Sequence, residues 1–158
     1  MKHTISILVE NHAGVLARVA GLFARRGFNI DSLGVGITED EKISRITIIA
    51  DGTAYTLEQI EKQLNKLIDV IKVRHLPAEE LLSRELVLIK VACQPSQRAE
   101  LISLAEIAKA KISDITVNTM TLELSDSVPR IKTFEELLRP YGIKETVRTG
   151  SIAMQKGG

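Results

Sequence analysis

Two kinds of hydrophobic period alternate along this chain, and the order in which they alternate is run through twice. "TISILVE" alternates, with Ile5, Ile7 and Val9 on one face, and reads as a strand. Val15, Val19, Leu22 and Phe23 then recur at the spacing of one helix face, and Gly27 supplies a C-terminal stop. "FNIDSLGVGIT" and "ISRITIIA" are two strands joined by the charged turn "EDEK". Thr56 with Gln59 has the form of a capping box opening a second helix, which carries Leu57, Ile60, Leu64 and Leu67 on one face. "DVIKVRHL" closes the first half as a strand. The order is β-α-β-β-α-β.

The second half repeats that order. "ELVLIKVAC" is a strand, and "SQRAELISLAEIAKA" is a helix with Leu101, Leu104, Ala105 and Ala108 on one face. "ISDITVNT" and "MTLELS" are strands. "DSVPRIKTFEELLRP" is a helix capped by Asp126 or Ser127, with Pro129 in its first turn and Pro140 and Gly142 at its end. "IKETVRTGSIA" is a last strand and "MQKGG" a frayed tail. The fold class is therefore α+β: two tandem ferredoxin-like βαββαβ sandwiches. Pro77 interrupts the pattern, so the domains are placed at 1–76 and 84–158, with residues 77–83 as a linker.

Composition narrows the function classes. The chain has 21 Lys and Arg against 20 Asp and Glu, a net charge of +1 that favours neither nucleic acid nor an anionic membrane as partner. No apolar run approaches the ~20 residues of a membrane span, and the N-terminus is too short in apolar residues for a signal peptide. The one cysteine, Cys93, excludes an intrachain disulfide and matches a reducing cytoplasm, the expected location. Aromatics are 3% with no Trp, so sheets of this kind lack the stacking platforms that RNA recognition requires. It also leaves Ile, Val, Leu and Ala to build two small cores, for which oligomerisation or a partner is the expected supplement.

No catalytic constellation stands out. His3, His12 and His75 have no second His, Cys or carboxylate at metal-ligand spacing, and Cys93 has no CxxC partner, so neither a catalytic nor a metal site is expected. "GVG" at Gly34–Gly36 precedes a turn and a strand rather than a helix. It lacks phosphate-binding geometry and reads instead as a bulge or close backbone contact.

The polar turn Asn11, His12, Ala13, Gly14 is the remaining candidate. It stands between the first strand and the first helix, whose free N–H groups and dipole favour a carboxylate. Gly14 lets the backbone come close to a ligand, and the Asn11 amide donates and accepts at once, which suits a zwitterion. The same residues also make a routine strand-to-helix cap.

"VENHAGVLARVAGLFARRGFNIDSL" resembles the opening of an ACT domain, the small-molecule sensing module of amino-acid metabolism. "SRITI" and "LEQIEKQLNKLIDVIKV", followed by "SRELVLIKV" in a second domain of this length, resemble the small regulatory subunits of acetolactate synthase. The resemblance implies a non-catalytic subunit with no cofactor of its own. Its partner would be a large catalytic subunit carrying thiamine diphosphate, Mg2+ and FAD. It further implies activation of that subunit and inhibition by valine, bound where two ACT domains pair in a homodimer; leucine or isoleucine would bind more weakly, since slot size discriminates by only ~1–3 kcal/mol per methylene. The matching positions are Asn11, Ala13, Gly14, Val15 and Leu16 on the loop side, and Asn29 and Ile30 at the start of the second strand, with His12 placed in the same effector-binding loop. Leu16, Val15 and Ile30 would line a slot for an isopropyl group. A histidine at position 12 departs from the small or acidic residue common in the family and would make binding pH-dependent. Arg18, Arg25 and Arg26 are candidate docking residues. The competing reading is a stand-alone ACT-type amino-acid sensor that regulates another enzyme or a transcription factor.

Overall fold

A computed structural model of the chain describes residues 1–157. Gly158, the end of the tail expected from "MQKGG", lies outside the described residues. The chain forms two compact units, Met1–Leu82 with Ser151 onward, and Ser83–Gly150. Both are α+β and ferredoxin-like.

In the first unit β1 (Lys2–Glu10), α1 (Val15–Arg25), β2 (Ile30–Ile37), β3 (Ile43–Asp51), α2 (Ala54–Asn65) and β4 (Val70–Leu76) follow in order. The sheet is antiparallel with strand order β2-β3-β1-β4. Its core face comes from the alternation of each strand: Ile5, Ile7 and Val9 meet Ile46, Ile48 and Ala50 under the two helices. Val15, Val19, Leu22 and Phe23 on α1 and Leu57, Ile60 and Leu64 on α2 complete that core, as the helical period predicts. Phe23 is its only fully buried aromatic.

α1 stops where the sequence indicates. Arg26 is its C-cap and Gly27 follows at φ +73°, the left-handed conformation that glycine adopts without strain. α2 begins three residues earlier than its apparent capping box. Thr53 is the N-cap, and its hydroxyl accepts from the Thr56 amide at 3.2 Å. Thr56 sits inside the first turn and donates to the Thr53 carbonyl at 2.8 Å.

The linker expected at 77–83 is structured. A single turn at Ala78–Glu80 leads into β5 (Leu81–Ala92), so that strand starts before the segment read as its beginning. The last predicted strand is split at Gly150, which has φ +84°. Its first part is β8 (Ile143–Arg148) of the second unit. Its second part, β9 (Ile152–Gln155), belongs with the first unit rather than with the domain 84–158 expected from sequence. The Ser151 amide donates to Ser32 Oγ at 2.8 Å, and the Lys156 amide to the Glu80 carbonyl at 2.7 Å. Ser32 and Gly34 alternate with the core-facing Leu33, so the chain end lies on the helix-free face of the first sheet. Gly34 is there as a close backbone contact, one of the two structural readings of "GVG".

The second unit repeats the plan with α3 (Arg98–Ala108), β6 (Lys111–Ile115), β7 (Thr119–Asp126) and α4 (Val128–Leu138). Its strand order β6-β7-β5-β8 is that of the first unit, strand for strand. Ser127 is the N-cap of α4, and its amide donates to Asp126 Oδ1 at 2.7 Å. Val87, Ile89 and Val91 form the core with Leu101 and Ala105 of α3 and Ile131 and Phe134 of α4. Cys93 is buried in it. Among the described residues no helix is long and apolar enough to cross a membrane.

Candidate functional site

β1 delivers the chain to Asn11 at the end of the sheet, and α1 starts at Val15. Gly14, at φ +87°, is the N-cap. Having no side chain, it leaves the first amides of α1 without a side-chain acceptor, and no acidic residue stands in the first turn. That end of the helix is consequently a partial positive charge with free donors.

Asn11 is tied to the β2–β3 turn. Its amide donates to the Lys42 carbonyl at 2.8 Å and its side-chain nitrogen to the Glu41 carbonyl at 2.9 Å. The donor half of the side chain is thereby used, and among the described residues its oxygen accepts no bond. A groove beside it is lined by Glu10, Asn11, His12, Lys42, Ile43 and Ile71.

His12 is the centre of a charged clasp. Its Nε2 lies 2.9 Å from Asp69 Oδ1 and 3.3 Å from Glu10 Oε2. Arg18, on the first turn of α1, pairs with the other oxygen of Asp69. Asp69 is buried, at 5% exposure. Its backbone carbonyl accepts from the Glu10 amide at 2.9 Å. The His12 ring is held above its ordinary pKa, first by its hydrogen bond to the Ala13 carbonyl, then by that to Glu10, with the Asp69 charge adding to both.

This clasp corrects the expectation that no carboxylate stands near a histidine at ligand spacing. Ligand atoms of Glu10, His12 and Asp69 all lie within 4.8 Å of one another. Sequence spacing hid the set because Asp69 comes from the α2–β4 turn. The Arg18 guanidinium already neutralises Asp69, so the group is a balanced ion cluster rather than an open set of metal ligands. Asp69 is the residue that sequence reasoning missed. Its one signal is a carboxylate set between Ile68 and Val70 in an otherwise apolar run.

The other predicted positions divide in two ways. Ala13 and Leu16 are exposed, whereas Val15 is buried in the core and offers this site only its backbone amide. Its expected role as a wall of the slot is corrected accordingly: the helical period turns its side chain inward. Asn29 donates to Asp31 Oδ1 at 2.8 Å just before β2, and Ile30 packs partly against the core. These two are not brought to the loop within one chain. β1 ends at Glu10 opposite Ile43, while Ile30 stands opposite Ala50. Seven residues of β3 therefore separate the two groups, roughly 24 Å at ~3.4 Å per residue. Of the arginines expected to dock a partner, Arg18 is committed to Asp69, while Arg25 and Arg26 are exposed.

Two family models match the chain. Residues 5–72 match that of the acetohydroxyacid synthase small subunit-like ACT domain, and residues 84–157 that of the small subunit of acetolactate synthase. A probable acetolactate synthase small subunit of Archaeoglobus fulgidus is 50% identical over 157 residues, covering 99% of this chain and 98% of that protein. The acetolactate synthase small subunit of Mycobacterium leprae is 44% identical over 155 residues, covering 98% and 92%. The crystal structure of an acetolactate synthase small subunit from Thermotoga maritima superimposes with a TM-score of 0.93 at 39% identity, covering 100% of this chain and 99% of that one.

Proposed function

The chain belongs to the acetolactate synthase small-subunit family, and from that membership we propose that it activates the catalytic large subunit and makes it sensitive to inhibition by valine. The thiamine diphosphate, Mg2+ and FAD that the chemistry needs are assigned to the large subunit.

One observation carries the proposal. The two predicted halves of the effector site lie at opposite ends of a single sheet, and β2 is an edge strand. β1 and β2 run in the same direction, since both are antiparallel to β3. A two-fold pairing of β2 with β2 of a second copy reverses one of them. It places the partner's Asn29 and Ile30 at the end of the sheet that holds Asn11 and Gly14. The exposed Val35 and Ile37 would be covered by the same pairing.

In that arrangement each group has a chemical task. The uncapped amides at the start of α1 donate to the carboxylate of valine. The free Asn11 oxygen and the partner's Asn29 receive its ammonium. Leu16 and the partner's Ile30 take the isopropyl group, discriminating weakly against one more methylene, worth ~1–3 kcal/mol. Valine then links two chains, and it changes activity by as much as its affinity differs between the activating and non-activating arrangements.

The test is the rate of acetolactate formation by the large subunit alone, with this chain, and with this chain plus valine. The expected result is a rise with the chain and a fall with valine. Asn11→Ala should keep the rise and lose most of the fall. A rate that ignores the chain overturns the regulatory assignment; a fall that survives Asn11→Ala overturns the site.

A further inference from the structure

The helix-free face of the first sheet carries a cavity whose charge is unbalanced. Leu8 is in register with Arg45 on β3 and with Lys72 on β4, so the two cations flank it in one row. Arg74 stands two residues further along β4, opposite Ser6. All three cations alternate with core residues, Ile46 on β3 and Val73 on β4, and so project away from the helices. With Ser6 below and Met154 and Gln155 of β9 above, they line a cavity of about 80 Å³.

No carboxylate lines this cavity. Among the described residues Arg45, Lys72 and Arg74 are in no ion pair. Arg74 donates to Gln155 Oε1, and the Gln155 side-chain nitrogen donates to Glu80 Oε2 at 2.9 Å. The Arg45 Nε is buried without an acceptor. Three converging cations repel one another, and a buried guanidinium donor without a partner is costly. Both features mark a place built for an anion.

We propose that this cavity binds one phosphate group, held by Arg45, Lys72 and Arg74. Several lines of chemistry point to that class. A guanidinium presents its N–H groups as a planar fork matched to two oxygens of one anion, and two such forks here stand on β3 and β4, on either side of β1. A doubly charged tetrahedral anion meets three positive charges better than a halide or a single carboxylate. The cavity has room for one such group. The Ser6 hydroxyl on the floor, buried at 7% exposure, adds a neutral donor. Free inorganic phosphate and the phosphoryl group of a larger small molecule share this chemistry. The site lies on the sheet face, apart from the polar loop at the end of β1, and does not depend on the valine reading.

Bound phosphate would touch both the sheet and β9, so it would fasten the end of the chain to the first unit. The test uses the full chain, titrated with inorganic phosphate at constant ionic strength maintained with chloride, and followed by calorimetry and by thermal melting. One saturable site per chain is expected, with a rise in melting temperature that chloride does not reproduce. Arg45→Gln should weaken binding about tenfold or more, and Lys72→Gln, whose side chain is exposed and removable without disturbing the core, should weaken it as well. Lys132→Gln on α4 should leave it unchanged. Competition by glycerol phosphate would assign the site to a phosphoryl group; its failure to compete would assign it to the free ion. Absence of saturable binding overturns the proposal, as does binding that Lys72→Gln and Lys132→Gln change alike.

Discussion

Gly34 and Ser151 approach so closely that a Cβ at position 34 would stand 2.9 Å from the Ser151 carbonyl oxygen. Real side chains essentially never come so near a backbone atom, so any residue but glycine must push the chain end away from β2. Gly36, two residues along on the same face, would meet nothing within 4 Å. Gly34→Ala should therefore destabilise the protein by about 1–3 kcal/mol, the usual range for forced overpacking. Gly36→Ala should change stability by less than about 1 kcal/mol. Urea titrations of the two variants make the comparison, and amide exchange at Ser151 should rise only in the first.

The contrast between those two glycines bears on what the sequence makes legible. The fold is readable because the core is built almost entirely of aliphatic residues at clean periods. Val15, Val19, Leu22 and Phe23 have no competing pattern, and all four are buried. Contacts that span a large sequence separation are not readable. Ser151 meets Ser32 across 119 residues, and Asp69 meets Arg18 across 51. No local period encodes either one. Asp69 in particular reads as an interruption of an apolar strand, although it pairs with His12 and Arg18 at the loop from Asn11 to Gly14. The loop itself was visible through Asn11 and Gly14; what anchors it was not.

A similar local ambiguity misplaced the start of α2, and it yields a test. Thr53 and Thr56 are both capping residues by type, but only Thr53 has the extended backbone of an N-cap. Thr53→Ala should cost about 1 kcal/mol, the usual loss for removing a cap. Thr56→Ala removes a hydroxyl that bonds back to the Thr53 carbonyl, and it should cost less. Equal losses in thermal melts would contradict the assigned cap.

The raised pKa of His12 gives stability a pH dependence of known sign. The folded protein binds the imidazole proton more tightly than the unfolded chain, whose value is near the ordinary 6.5. The stabilisation is fully present below the unfolded value and is lost as pH rises through the folded one. Denaturation midpoints should fall between about pH 6 and pH 8, and His12→Asn should flatten that part of the profile. On the proposed function, valine inhibition measured over the same range should weaken as the proton leaves, because the protonated ring holds the loop from Asn11 to Gly14 against Glu10 and Asp69. An unchanged valine affinity from pH 6 to 8 would uncouple the clasp from the site.

Asp69 should prove more important to that loop than any residue within it. Its carboxylate accepts from Arg18 and His12 at once, and its side chain is only 7% exposed. Asp69→Ala leaves a guanidinium and an imidazole facing each other without the anion between them. Arg18 is 49% exposed, so water takes over part of its solvation and moderates the loss. A cost of about 1–3 kcal/mol is expected, more than for Arg18→Ala, because removing Arg18 still leaves His12 to pair with the carboxylate. Asp69→Asn keeps the shape but removes the charge, and it should lower the His12 pKa, readable from its imidazole resonances by NMR titration. The same variant should bind the large subunit normally and respond less to valine, since β4 and the sheet stay intact while the loop from Asn11 to Gly14 loses its anchor. A variant with full valine response and an unshifted His12 titration would show that the clasp is ornamental to the site.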